Sequence, residues 1–290
     1  MPPVKKVILC ADDFGISPAV SKSICSLAEK MRVSATSVMV VYGDWNLHCR
    51  ALIDFHDNLD IGLHFVLTDA PPVSSRNNIS SIVGSGGCFY NMKQFMKRAC
   101  LGQIKNMDIL KELTSQYDKF VGTFGFHPDF IDGHHNVHQY PIVDNVVIEF
   151  VKSLNPEHKL YLRNTAHSMG AMCVQGSDFL KTGMISFLGS SFKKKLLENG
   201  IPTNESFGGV YNLDHYNKFG VKVIKFLKSA GVKNGIVMSH PGTQDTHLSA
   251  RDPFCKGREI EESVLLKNTF SETLKRLNIS LDKFEWTIQS

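Results

Sequence analysis

Asp12 and Asp13 stand side by side in A-D-D-F-G, His64 lies in G-L-H-F, and His134 lies in D-G-H-H-N-V-H. Each follows an apolar run, so neighbouring elements of one fold can carry them to a common rim. Two imidazoles and a carboxylate suit a divalent cation. A second carboxylate beside the ligand is placed to handle a proton. The chemistry open to this set is metal-assisted hydrolysis. Adjacent residues on an extended chain point to opposite sides. Gly15 makes a turn easy, however, so the two acids can take different roles. The plain alternative is an acidic loop serving the next helix.

His64 alone would be a core or rim histidine, and its company raises it. His134, His135 and His138 fall within five residues. Asn136 and Val137 occupy the inner positions, so this is not the H-E-x-x-H signature of a zincin. Asp132-Gly133 reads as a turn and Pro141 as a helix start, which puts the cluster on a strand-to-helix loop. His240, in S-H-P-G, is a satisfied rim histidine or else a proton donor or substrate contact. Arg163, closing K-L-Y-L-R, can orient an acidic group, contact a ligand or pair with a carboxylate.

These residues need elements to position them. Short apolar strands are expected at Val4–Cys10, Ser34–Val41, Leu59–Leu67, Phe130–Asp132, Lys159–Arg163, Gly235–Met238 and Phe284–Ile288. Helices are expected from Ser17-Pro18, a cap followed by proline at the first position, to about Met31. Others are expected over Trp45–Phe55, over Asn91–Gly125 with a break near Gly102, over Pro141–Leu154 and around 177–198. The last two run over Asp214–Ala230, closed by Gly231 as a C′ residue, and over Glu259–Leu277. Residues 68–90 hold Pro71-Pro72, serines and G-S-G-G, and read as a long loop of the kind that is a functional lid or disordered. The repeated strand–helix order predicts an α/β fold with a mainly parallel sheet, in one domain over residues 1–290. In a barrel of parallel strands, the polar strand ends mark the active rim.

Bulk properties narrow the class. The 290 residues are 42% hydrophobic and 21% charged, as expected of a globular protein with a sizeable core. A formal charge of +4 is too weak to argue for nucleic acid. The seven cysteines are odd in number and none has C-x-x-C spacing, which speaks against a disulfide framework or zinc knuckle. Neither a signal-peptide core nor a run long enough to span a membrane is seen, so a cytoplasmic protein is expected.

As an ordered set, A-D-D-F-G, G-L-H-F, D-G-H-H-N-V-H and S-H-P-G resemble the YdjC-like carbohydrate deacetylases. That family includes bacterial chitooligosaccharide deacetylases and their animal homologues. The resemblance runs from about Val4 to about Leu277. It implies a variant (β/α) barrel related to polysaccharide deacetylases, and hydrolysis of the N-acetyl group of an acetylated amino sugar. It also implies a divalent metal, magnesium ahead of zinc, although a carboxylate and two imidazoles are compatible with either. Position by position it makes Asp13 a metal ligand with His64 and His134, and Asp12 the general base, and the reverse assignment of the two acids fits equally well. His240 is then the candidate general acid. Arg163 and His138 are candidate substrate contacts, with His135 beside the site. The expected partner is a carbohydrate, with neither nucleic acid nor membrane, and room is left for a homodimer. Two rival readings are a metal-dependent hydrolase of another amide or a phosphoester, and a non-catalytic barrel that binds a ligand.

Overall fold

The structure is a computed structural model that describes residues 3–43, 48–167, 179–211 and 213–286. Among the described residues eight strands form one parallel sheet: β1 (Lys5–Phe14), β2 (Ala35–Val38), β3 (Asp60–Phe65), β4 (Phe130–Gly133), β5 (Tyr161–Leu162), β6 (Ser206–Gly208), β7 (Gly235–Ser239) and β8 (Ile279–Leu281). Their order is β5-β4-β3-β2-β1-β7-β6, with β8 pairing to the first residues of β1. The sheet curls until its edges meet through two isolated bridges, Leu162 to Thr203 and His167 to Phe207. This is a variant barrel, and because every pair is parallel all strands present their C-terminal ends to one rim.

The helices are α1 (Pro18–Glu29), α2 (Cys49–Ile53), α3 (Met92–Cys100), α4 (Asn106–Phe124), α5 (Val143–Ser153), α6 (Phe179–Glu198), α7 (Phe219–Ser229), α8 (Thr246–Arg251), α9 (Cys255–Leu266) and α10 (Asn268–Arg276). Ser17 caps α1 by accepting from the Val20 amide at 3.2 Å. Among the described residues no helix is long and apolar enough to cross a membrane.

Alternation along the strands decides which side chains fill the barrel. Ile8 and Cys10 of β1, Phe130 of β4, Tyr161 of β5, Phe207 of β6, and Ile236 and Met238 of β7 form an inner apolar cluster. Their neighbours Leu9, Ile131, Leu162 and Val237 join the outer core beneath the helices. Carried two residues further toward the rim, the inner face delivers Asp12, Asp132, Arg163 and His240. The site is therefore the polar top layer of a stack whose lower layers are apolar.

Several elements differ from expectation for physical reasons. β1 does not stop at Cys10 but runs through both acids, because arginines elsewhere in the fold meet their carboxylates. The loop 68–90 is neither loose nor disordered. Ile79 and Ile82 are fully buried, and Glu112 of α4 accepts the amides of Val73 and Ser74 at 2.9 Å each. The helix expected over Glu259–Leu277 is two helices, α9 and α10, parted at Lys267, whose ψ is 140°. Gly231 has no left-handed φ to make it a C′ residue. Its absent side chain instead makes room for Glu205, whose Oε2 would lie 2.1 Å from a Cβ there. The last strand is Ile279–Leu281, and Phe284 stacks under Tyr161 with centroids 4.1 Å apart. Residues 45–47, 177–178 and 287–288 of the expected elements lie outside the described residues.

The stacked interior leaves no slack at Gly62, where a Cβ would sit 2.5 Å from the Phe130 ring. Gly62→Ala is therefore expected to cost about 1–3 kcal/mol, read as a lower urea midpoint. An unchanged midpoint would show that the inner layers give way freely.

Candidate active site

Asp12 leaves β1 on the inner face and meets Arg163, which follows β5 on the same face. The pair is bidentate, with Nη1 to Oδ1 at 2.7 Å and Nη2 to Oδ2 at 2.8 Å, and both residues are about 1% exposed. Ser37 donates to Asp12 Oδ1 at 3.3 Å. Burial disfavours the Asp12 carboxylate, but the guanidinium outweighs it and holds the group below the usual carboxylate range.

Asp13 would point outward by alternation. Its φ of 71°, at a register shift between Ala11 and Phe14, turns it back to the rim. Its Oδ1 then lies 3.2 Å from His64 Nε2 and 3.2 Å from His134 Nδ1. Its Oδ2 accepts from Arg258 Nη2 of α9 at 2.5 Å. Burial opposes ionisation here too, yet Arg258 and the two histidines keep the Asp13 carboxyl well below its ordinary value.

His64 reaches the rim from β3, with Nδ1 2.6 Å from Asp132 Oδ1 and 3.0 Å from Ser37 Oγ. That arrangement protonates Nδ1 and leaves Nε2 facing Asp13. Burial works against a charged imidazole, but Asp132 and Asp13 push its pKa up to about 10. Asp132 Oδ2 also stands 2.7 Å from Arg163 Nη1, an ion pair without full hydrogen-bond alignment. Asp132 thus links the Asp12–Arg163 pair to His64.

His134 opens a short 3₁₀ turn after β4, and positive φ at His135 (55°) and Asn136 (56°) fans the cluster apart. His135 Nδ1 lies 2.9 Å from Thr68 Oγ1 on one side of the site. His138 goes the other way. It is fully buried, donates from Nε2 to the Arg163 carbonyl at 2.6 Å and packs edge-on to Phe192. Burial pushes its pKa down to about 4, so it is neutral. The ring lies behind β5, and the cavity beside Asp12 is lined by His134 and His135 and not by it. Arg163 lines the cavity beside Asp12, with its guanidinium paired to the carboxylates of Asp12 and Asp132. His240, just after β7, shares a cavity wall with Asp12, Asp13, His64 and His134. Its backbone amide donates to Glu261 Oε2 at 2.6 Å, and Tyr211 donates to Glu261 Oε1 at 2.5 Å.

One oxygen of Asp13 and one nitrogen each of His64 and His134 lie within 4.8 Å of one another. Ligand atoms held about 2.1 Å from one ion stand roughly 3.0–3.4 Å apart, which matches the 3.2 Å separations from Asp13. The donor set therefore fits a divalent cation. The expected ligands converge, and the two acids face different partners. Asp132, Ser37, Arg258, Glu261 and Tyr211 escaped the sequence reading. Asp132 shares its alternation with Phe130, which was the one available signal, whereas Arg258 and Glu261 look like ordinary charged helix positions.

A family model described as YdjC-like protein matches residues 6–276. A carbohydrate deacetylase of Clostridium beijerinckii is 27% identical over 281 residues, 97% of this chain and 99% of that relative. A chitooligosaccharide deacetylase of Yersinia enterocolitica is 25% identical over 280 residues, 97% of this chain and 98% of that relative. The crystal structure of a protein from Enterococcus faecalis V583 has the same fold, with a TM-score of 0.70 at 23% identity over 97% of each chain.

Asp132→Asn removes the charge that orients His64 while keeping the shape. Affinity for a divalent cation, measured by titration calorimetry, is expected to fall about 10–100-fold. Unchanged affinity would mean that Asp132 does not orient a ligand.

Proposed function

The chain belongs to the YdjC-like protein family, and from that premise we propose that it hydrolyses the N-acetyl group of acetylated amino sugars, releasing acetate. In this reading a divalent metal is held by Asp13, His64 and His134. The observation that carries it is the convergence of those three side chains beside Asp12, a buried carboxylate kept ionised by Arg163. The names of the deacetylases of Clostridium beijerinckii and Yersinia enterocolitica, which match nearly end to end, support the sugar substrate.

What a divalent ion supplies in such a site is polarisation of the acetyl carbonyl and a lower pKa for a water molecule. The rest falls to the chain. Asp12 takes the proton from the attacking water as the carbonyl carbon becomes tetrahedral. The geometry favours Asp12 over Asp13 for this task, since Asp13 faces both histidines with one oxygen and Arg258 with the other. Arg163 keeps Asp12 in the charged form that can accept a proton. His240 delivers a proton to the leaving nitrogen, with its backbone fixed by Glu261. The C–N bond then breaks to give an amine and acetate.

The cavity in front of Asp12 has a volume of about 320 Å³, and Met92, Ile185, Val210 and Met238 supply apolar lining. An acetyl methyl group suits those walls better than a phosphoryl group does. This favours amide hydrolysis over the phosphoesterase alternative. Magnesium is the first cation to test and zinc the second.

With magnesium or zinc added, the protein is expected to release acetate from N-acetylated chitooligosaccharides. Asp12→Asn is expected to lower kcat by about 10²–10⁴-fold with the circular dichroism spectrum retained; turnover at the wild-type rate would remove Asp12 from the chemistry. His134→Ala is expected to lower bound metal in elemental analysis, and a full metal complement in that variant would exclude His134 as a required ligand.

A further inference from the structure

The cavity in front of Asp12 is polar on one side and apolar on the other. Its apolar floor belongs to the barrel interior. Met238 of β7 pairs in register with Cys10 of β1, which sets it one layer below Asp12 and His240 on the inner face. Met238 and Val210 are buried in the inner apolar cluster and Ile185 packs against it, yet all three also line the cavity. Gly209 lets the chain close over β7 at this point. Its φ is 106°, and a Cβ there would lie 2.2 Å from the Met238 carbonyl oxygen.

An amide presented to Asp12 carries a sugar on its nitrogen and an alkyl group on its carbonyl carbon. The side chains of Met238, Val210 and Ile185 have no hydrogen-bond donor to offer sugar hydroxyls. Burying a hydroxyl unpaired is costly. The alkyl group is therefore the one that faces the floor. The sugar lies toward the mouth, where Met184 is 57% exposed. The floor then decides how long the alkyl group can be. Met238 is unbranched, with three rotatable bonds and a polarisable sulfur, and such a side chain refits to irregular shapes. Two further methionines, Met92 and Met184, stand in the walls of the same cavity. An apolar pocket discriminates weakly between homologues that differ by one methylene, and burying that methylene is itself favourable.

We propose that the protein also hydrolyses N-propionyl and N-butyryl amino sugars, with Met238 setting the acyl length accepted. Water adds to the acyl carbon as it does for acetyl. The C–N bond breaks, its electron pair stays on nitrogen with a proton, and propionate or butyrate is released. The proposal rests on the deacetylase reading above and widens its substrate class. Met238 becomes a specificity-determining residue that takes no part in the proton transfers.

The test measures kcat/KM for amine formation from the N-acetyl, N-propionyl and N-butyryl forms of one chitooligosaccharide, with magnesium or zinc added. In the wild-type protein the two longer acyl groups are expected to react within about tenfold of acetyl. Met238→Ala deepens the floor and is expected to raise the butyryl-to-acetyl ratio about tenfold; Met238→Phe fills it and is expected to lower the ratio by a similar factor. A general loss of packing would slow all three substrates alike and leave the ratio in place. Circular dichroism checks each fold, and the alanine variant decides alone if the phenylalanine variant does not fold. Acetyl hydrolysis with both longer acyl groups slowed a hundredfold in the wild type would overturn the proposal and leave the deacetylase reading standing. A ratio unmoved by Met238→Ala would overturn the role of Met238. Amine formation from none of the three would remove both readings together.

Discussion

A guanidinium buried between two carboxylates organises the rim of this barrel. Arg163 binds Asp12 with both terminal nitrogens and stands 2.7 Å from Asp132 through one of them. Asp132 in turn fixes His64. Buried ion pairs contribute little net stability, but removing one partner costs roughly 3–5 kcal/mol because the survivor is left uncompensated. The arrangement therefore serves position more than stability. It fixes the charge state of Asp12 and the tautomer of His64 through a single cation.

Counted over the protein's own side chains, the rim is acidic. The carboxylates of Asp12, Asp13, Asp132 and Asp252 face the guanidiniums of Arg163 and Arg258. Without an ion, His64 offsets part of the excess by holding a proton, which is why its pKa rises to about 10. A divalent cation in the place of that proton, as the proposed function requires, would bring the group to neutrality with His64 neutral. Proton and metal are then alternatives at Nε2, as expected wherever ligation requires a deprotonated imidazole.

The fold class was legible because strand and helix patterns alternate strongly, and the inner face was legible wherever strands are long enough to show alternation. β6, three residues with one large apolar side chain, escaped notice. Asp12, Asp13, His64 and His134 drew attention because charged or imidazole groups at the ends of apolar runs need a reason to be there. Asp132 did not, because D-G is ordinary turn chemistry and only the partner strand reveals its inward direction. Arg258 and Glu261 are three apart on α9; Arg258 meets Asp13 across the two ends of the chain, and Glu261 meets His240 through the turn that follows β7. His138 shows the opposite case. Cluster spacing cannot say which members face the rim, and here positive φ at His135 and Asn136 sends His138 into the core.

The central claim is that Asp13, His64 and His134 share one cation while Asp12 stays with Arg163. Manganese soaked into a crystal and located by anomalous scattering tests this directly. The account predicts one peak bonded to Asp13 Oδ1, His64 Nε2 and His134 Nδ1, with the Asp12–Arg163 pair intact. A peak ligated by Asp12, or none between the two histidines, would contradict it.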